Sequence, residues 1–479
     1  MSFVSISFVL FFAGVLLGLA IMPTPRARLA FLLVANVVFY GFGTPWFLLV
    51  LLVPSLVDYA CAIRMEDSAD AETRKRWLVI SVITNLGILF YFKYANFLID
   101  SVAALLHVQT VPLDVVLPVG ISFFTFKTMS YTIDVYRGRL TACRSLWRYA
   151  MFVSFFPELV AGPIVRASIF LPQMERPIRL EWHRFASGLR IIFVGVTKKL
   201  LIADRLSSYV DVVFANPAPY SPSAVAAAVI AYAIQIYCDF SGYSDMAVGI
   251  ARIIGFDLPM NFDMPYLSRS ITEFWRRWHI TLSQWLRDYL YIPLGGNRKG
   301  RLRTYVNLII TMLLGGLWHG ASWTFVVWGL LHGIGLAGHK LWMEFRVRRG
   351  WSASTGLLPS IAGWIATNAF VCVCWVFFRS QDFATAWVIL RKLGGLAPGG
   401  VQWLYLPAYL FLPVLAVAHY IGRAQKRDID PAADVHTTVP GYATASVPVF
   451  AYAFVLTAWL LLLYLFVPLH RSPFIYFQF

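Results

Sequence analysis

The chain has 479 residues, of which 59% are hydrophobic and only 13% charged, where a soluble globular protein carries about a quarter charged residues. This excludes an ordinary soluble domain and points to an all-α, polytopic membrane protein, because apolar runs of bilayer length recur from end to end. The net charge of +16 sits in short loops between those runs, the positive-inside pattern with contacts to membrane lipids, which argues against a nucleic-acid partner.

In chain order, spans follow from apolar length and their sides from Lys and Arg. Residues 3–22 read as an uncleaved first span, since no basic segment precedes them and Arg26 and Arg28 follow. Residues 29–63 form a hairpin that turns at 41–46 and returns to a charged cytoplasmic loop, 64–76. Residues 77–98 go out to a loop, 100–117, that has no Lys or Arg, and 118–135 come back. The segment FPELVAGPIVR, residues 156–166, is apolar but broken by Pro157, Gly162 and Pro163. It reads as a re-entrant element, because irregular backbone at membrane depth has to be buried in protein or line a cavity. Residues 184–203 then cross outward and 223–251 return.

Residues 252–303 are the most basic block, and Trp275, Trp278, Trp285, Tyr289 and Tyr291 interleave with its arginines. This pattern predicts an interfacial helix. Residues 304–345 form a second hairpin, and 358–378, 401–422 and 445–467 complete about twelve spans, with both termini outside. Arg379, Arg391 and Lys392 fall on the outer side of this scheme, against the charge rule. The polar linker of note is 423–438. With no repeat, low-complexity stretch or soluble domain, residues 1–479 are expected to form a single integral-membrane domain whose chemistry lies within about 118–345.

The run LLGGLWHGASWTFVVWG, residues 313–329, places His319 in an apolar segment rich in Gly and Trp. An imidazole is costly to bury in hydrocarbon, so it marks a functional site by default. It also titrates near neutrality and can take and return a proton. The bland alternative is a histidine hydrogen-bonded between helices. Some forty residues upstream, WRRWHITLSQWLRDYLYIPLGGNRKG, residues 275–300, carries His279. That residue reads either as a positioning or second catalytic group, or as a side chain at the lipid headgroups. Arg276, Arg277 and Arg287 around it suit an anionic cosubstrate, since guanidinium pairs bidentately with phosphate, or else are topology signals. Trp275, Trp278 and Trp318 are the expected aromatic supports.

His332 lies thirteen residues beyond His319 and off its helical face, and with His339 reads as packing; His107, His183, His419, His436 and His470 fall near loops or ends. Asp239 and Asp245 lie in one long apolar span, Asp134 ends another, and Glu158 sits in the broken element. Such carboxylates either pair with a basic residue of a neighbouring helix or line a polar tunnel. The five scattered cysteines, Cys61, Cys143, Cys238, Cys372 and Cys374, form no paired framework. No metal-ligand spacing, nucleophilic-serine motif or phosphate-binding loop is present, so neither a metal site nor a cofactor is expected.

At these residues the chain resembles the membrane-bound O-acyltransferase family, most closely its bacterial alginate O-acetyltransferase group. The resemblance rests on residues 156–166, 237–249, 258–300 and 315–328 and on the C-terminal PFIYFQF. It implies that His319 is the catalytic histidine and His279 a second, supporting one. It implies acetyl-CoA as cytoplasmic cosubstrate, with Arg276, Arg277 and Arg287 near its phosphates. Acetyl would cross the bacterial inner membrane to an extracytoplasmic polysaccharide such as alginate. A periplasmic or membrane-anchored SGNH-type acetyltransferase would be the partner that completes the transfer. Glu158 departs from the family pattern, which has an uncharged Gln there. Peptidoglycan O-acetylation and teichoic-acid D-alanyl transfer are alternatives within the family. A transporter or flippase is the alternative outside it, although no inverted repeat supports that reading.

Overall fold

The computed structural model describes residues 1–160, 162–351, 356–427, 457–459, 461, 474 and 475. Among them the chain is helical, without a strand beyond an isolated bridge between Tyr220 and Val401. Among the described residues five helices are long and apolar enough to cross a membrane: Phe47–Asp67, Ala71–Leu106, Pro222–Ile254, Leu357–Arg379 and Leu406–Arg423; Ile6–Ile21 is a shorter apolar helix. Most of the span expected at 445–467, most of the linker 423–438, His436 and His470 lie outside the described residues. The chain divides into two compact units, Met1–Phe193 with Tyr243–Pro259, and Val194–Gly242 with Met260–Phe479.

The first unit opens with α1 (Ile6–Ile21), α2 (Pro25–Gly41) and α3 (Phe47–Asp67). The turn between α2 and α3 lies where the first hairpin was expected. The charged loop 64–76 is corrected: Asp70 accepts the Thr73 N–H at 2.9 Å and starts α4 (Ala71–Leu89) directly after residues 68–70. Through a π turn, Phe90–Tyr94, α4 continues into α5 (Ala95–Leu106). The outer loop predicted to start at 100 therefore begins after Leu106.

Helix α6 (Ile121–Tyr136) has fourteen of its sixteen residues buried. It starts at Gly120, whose φ of +78° favours glycine and where a Cβ would stand 2.3 Å from the Leu159 carbonyl oxygen. Polar groups on and around α6 answer one another. The Asp58 carboxylate accepts from Ser81 Oγ at 2.6 Å and from Asn85 Nδ2 at 2.8 Å, and Thr128 Oγ1 donates to Asn85 Oδ1 at 2.9 Å. Lys127 Nζ forms an ion pair with Glu158.

Glu158 lies where the chain is broken, as the sequence predicted. Helix α7 (Leu146–Ser154) stops, α8 (Phe156–Leu159) makes one turn, and the chain is irregular until α9 (Ala167–Phe170). Asn36 Oδ1 accepts the Phe156 N–H at 3.1 Å across this break, so protein rather than lipid satisfies the exposed backbone. The unit closes with the first part of α10 (Trp182–Val196) and the end of α12 (Pro222–Ile254). These two cross at Gly188 and Gly249, where a Cβ on either would stand 2.6 Å from the other's carbonyl oxygen. Asp245 is buried on this part of α12, and Arg184 and Arg252 share Asp257 at 2.9 and 3.0 Å.

The second unit holds a π segment, Thr197–Ala203, then α11 (Asp204–Ala215), the start of α12, and α13 (Ile271–Arg277) to α19. The continuous helix expected in the basic block is corrected to three short segments. Helix α13 stops, α14 (Ile280–Leu286) starts at once, and a π turn, Arg287–Tyr291, follows. The breaks turn the aromatic residues inward, so Trp275, Trp278, Trp285 and Tyr289 are buried while Arg276 and Arg287 stay exposed. Helices α15 (Arg301–His319) and α16 (Trp323–Arg348) form the second hairpin. They touch backbone to backbone, since a Cβ on Gly316 would lie 2.3 Å from the Phe325 carbonyl oxygen and one on Gly329 2.4 Å from that of Met312. Helices α17 (Leu357–Arg379), α18 (Phe383–Leu393) and α19 (Leu406–Arg427) complete the unit. Two of the three charges that opposed the span scheme are met there: Arg379 pairs with Asp211 at 2.7 Å, and Lys392 donates to the Tyr220 carbonyl.

Replacing Lys127 by Met strands the Glu158 carboxylate, so a loss of about 3 kcal/mol or more is expected as a lower Tm in detergent. The pair Lys127→Met with Glu158→Gln recovers most of it; a double variant no more stable than the single one would show that the ion pair is not the cause. In the hairpin, Gly329→Val costs about 1–3 kcal/mol by overpacking. Gly338→Ala on the same helix, where a Cβ meets nothing within 4 Å, leaves Tm unchanged or slightly raised.

Candidate active site

The break between α13 and α14 is built by two residues. Trp278 is extended, with φ −100° and ψ 129°, and His279 is left-handed, with φ 41° and ψ 57°. A non-glycine residue in that region costs about 1 kcal/mol or more and persists only where its surroundings enforce it. Asn261, itself buried, supplies the enforcement. Its carbonyl accepts the Ile280 N–H at 2.9 Å, and its Oδ1 accepts the Thr281 N–H at 3.3 Å and hydroxyl at 2.9 Å. Alongside, Asp263 N–H donates to the Arg277 carbonyl at 2.9 Å. The local chain is thereby locked, and the His279 ring is driven wholly into the interior.

His319 is the last residue of α15, and its ring arrives beside that of His279 with centroids 6.3 Å apart. Trp318 stands 5.9 Å from His279 and 5.0 Å from His319. Trp328 and Phe378 meet His319 edge-on at 4.9 and 5.4 Å. Phe240 of α12 meets His279 edge-on at 4.6 Å. Two imidazoles thus share one apolar, aromatic-walled interior, where water is excluded and electrostatic interactions are strengthened.

The structure also gathers His332, which the sequence spacing had set apart from His319. Helix α15 ends at His319 and the chain reverses, so Trp328 on α16 touches both rings, at 4.9 Å from His319 and 4.7 Å from His332. Trp275 Nε1–H donates to His332 Nδ1 at 3.2 Å, which assigns the His332 proton to Nε2. Trp278 closes another side, 5.0 Å from Trp375 and 5.1 Å from Phe262.

Asp239 does not stand alone in its helix. Lys199, set by the π segment, reaches Asp239 at 2.7 Å and Asp204 at 2.8 Å, all three side chains being buried. The other Asp239 oxygen accepts the Ile475 N–H at 2.7 Å. This knot fixes α12 one residue before Phe240, the ring against His279. Asp245 and Glu158 belong to the first unit, where Glu158 meets Lys127. Of the three arginines, Arg277 pairs with Glu273 at 3.0 Å and Arg287 with Asp288 at 2.7 Å. Arg276 is exposed and has no carboxylate partner among the described residues.

Lys127, Lys199 and Asn261 escaped the sequence reading. The lysines did carry a signal, because a lone cation within an apolar run needs a partner. Asn261 carried none, as its partners are defined only by the fold.

Residues 32–381 match the model of the membrane-bound O-acyltransferase family. A probable alginate O-acetylase of Pseudomonas aeruginosa is 42% identical over 393 residues, 81% of this chain and 74% of the relative. A peptidoglycan O-acetyltransferase of Helicobacter pylori is 36% identical, covering 82% of this chain and 79% of the relative. A teichoic acid D-alanyltransferase of Bacillus subtilis is 27% identical, covering 55% of this chain and 69% of the relative. With a match over most of its length and relatives of this identity, the chain belongs to the membrane-bound O-acyltransferase family, and it is an acyltransferase rather than a transporter.

Proposed function

We propose that the chain is an O-acetyltransferase of the bacterial inner membrane that takes acetyl from cytoplasmic acetyl-CoA and passes it outward for esterification of an extracytoplasmic polysaccharide, alginate or a similar exopolymer. The observation that carries this reading is the buried pair His279 and His319, 6.3 Å between ring centroids, in a member of an acyltransferase family. The polymer class rests on relatives named for alginate, 42–43% identical over 81% of the chain. Peptidoglycan is the second reading, supported by the Helicobacter pylori relative, which spans as much of the chain.

In this reading His319 acts as general base or helps form a transient acyl intermediate. As base it removes the proton from the attacking hydroxyl, the oxygen bonds to the thioester carbon, the carbon–sulfur bond breaks, and the proton leaves with the coenzyme A sulfur. His279, braced by Asn261, positions the reacting group. The aromatic wall of Trp318, Trp328, Trp278 and Phe378 keeps water from the thioester. Arg276 is the first candidate for the coenzyme A phosphates, because Arg277 and Arg287 already answer carboxylates. A separate SGNH-type acetyltransferase receives the acetyl group outside and completes transfer to the polymer.

The decisive measurement is transfer of labelled acetyl from acetyl-CoA by purified protein. His319→Ala is expected to lose about 10²-fold or more with Tm retained in detergent. Equal rates in a folded variant would end the assignment of His319. Asn261→Ala, which frees the strained turn, is expected to lower kcat about tenfold with KM little changed. A rise in KM with kcat unchanged would instead mean that Asn261 acts on binding rather than on His279.

A further inference from the structure

A cavity of about 790 Å³ lies in the second unit, away from the imidazole pair in its lining, with walls from α16, α17 and the residues that lead into α13. On α16 the lining positions 335, 339, 342, 343 and 346, and on α17 positions 359, 362, 363, 366, 367 and 370, each follow helical spacing. Two antiparallel helix faces therefore form the sides of one groove. At one end Gly335 faces Phe370, where a Cβ would stand 2.8 Å from the ring. From there to Arg346 the groove runs about 16 Å, at 1.5 Å per residue.

The two ends differ in chemistry. Toward Phe370 the walls are Ile271, Gly335, Ala366, Thr367 and Phe370, and the Thr367 hydroxyl is bonded back to the Gly363 carbonyl at 2.7 Å. Toward the end of α16 they carry Arg346 and, from across the groove, Arg269, whose Nη1 donates to Ser360 Oγ at 3.0 Å. Gly363 permits this approach, since a Cβ there would lie 2.8 Å from the Arg269 carbonyl oxygen. Trp342 and Trp351, about half exposed, line the same end, as tryptophans do at headgroup level. His339 sits between, its ring bonded through Nδ1 to Thr272 Oγ1 at 2.9 Å. The lining contains no Asp or Glu, and Arg348 and Arg349 follow directly.

We infer that this groove binds one anionic phospholipid, its phosphate held by Arg269 and Arg346 and an acyl chain laid between α16 and α17. A mouth with two arginines and no carboxylate in its lining, with an apolar channel behind it, matches an amphiphile with an anionic head. By the positive-inside rule the cluster Arg346, Arg348 and Arg349 marks the cytoplasmic side, whose leaflet supplies anionic lipid. The lipid braces the two helices that carry Trp328 and Phe378 to His319.

The test uses the full chain in nanodiscs of phosphatidylcholine with increasing phosphatidylglycerol, reading retained lipid by native mass spectrometry and stability by Tm. Wild type is expected to retain one phosphatidylglycerol per chain and to gain Tm as its fraction rises. The double variant Arg269→Gln with Arg346→Gln is expected to need about tenfold more anionic lipid for the same gain. Ala366→Trp fills the groove from an exposed position with both arginines intact and is expected to lose retention as well. Should the arginines prove necessary for folding, judged by Tm in phosphatidylcholine alone, the Ala366→Trp result decides. Equal retention of phosphatidylcholine, or undiminished phosphatidylglycerol in the variants, overturns the proposal. So does loss of coenzyme A affinity in the double variant with lipid retention intact, which would assign the phosphate site to the acyl donor.

Discussion

Taking an ionised side chain out of water without a partner costs several kcal/mol, and this constraint arranges both units of the chain. In the first unit it joins Lys127 of α6 to Glu158 in the broken element. In the second it ties Lys199 to Asp204 and Asp239. Each pairing draws together segments far apart in sequence. Each also holds irregular backbone, a one-turn helix in one case and a π segment in the other, at depths where only protein groups can satisfy it. A carboxylate at Glu158 is physically ordinary in this light, because a lysine meets it.

The imidazole pair depends on that framework at one remove. Asp239 fixes the part of α12 that carries Phe240 against His279. Asn261 enforces the left-handed turn that swings His279 inward. On the opposite side, the glycines of α15 and α16 let two backbones touch, so that the end of one helix brings His319 beneath a tryptophan of the other. The result is strain concentrated at one residue and close packing around it, the combination expected where reacting groups must be held without freedom to relax.

Exposed cations and buried aromatics divide the basic block between two tasks. Its tryptophans belong to the interior, while Arg276 and Arg287 remain at the surface. The same division recurs at the end of α16, where arginines and half-exposed tryptophans border a groove that is otherwise apolar. The arginines of this chain therefore do more than orient it in the bilayer: some neutralise carboxylates, such as Arg379 with Asp211, while Arg276 and Arg287 stay at the surface.

By itself the sequence determined the class of molecule, the family, both hairpins, the break at 156–166, and the two histidines whose rings the fold brings to 6.3 Å from one another. Each of these is written in local terms: apolar length, a proline or glycine in a run, an imidazole where hydrocarbon is expected, a motif of fixed spacing. The tertiary structure alone decided that the basic block is broken into short helices with its tryptophans buried, that His332 joins the cluster around Trp328, and that Lys127, Lys199 and Asn261 hold the irregular segments in place. These are outcomes of pairing between residues 20 to 57 positions apart. Periodicity reports which face of a helix is apolar; it carries no information about which distant polar group will arrive to satisfy a buried one.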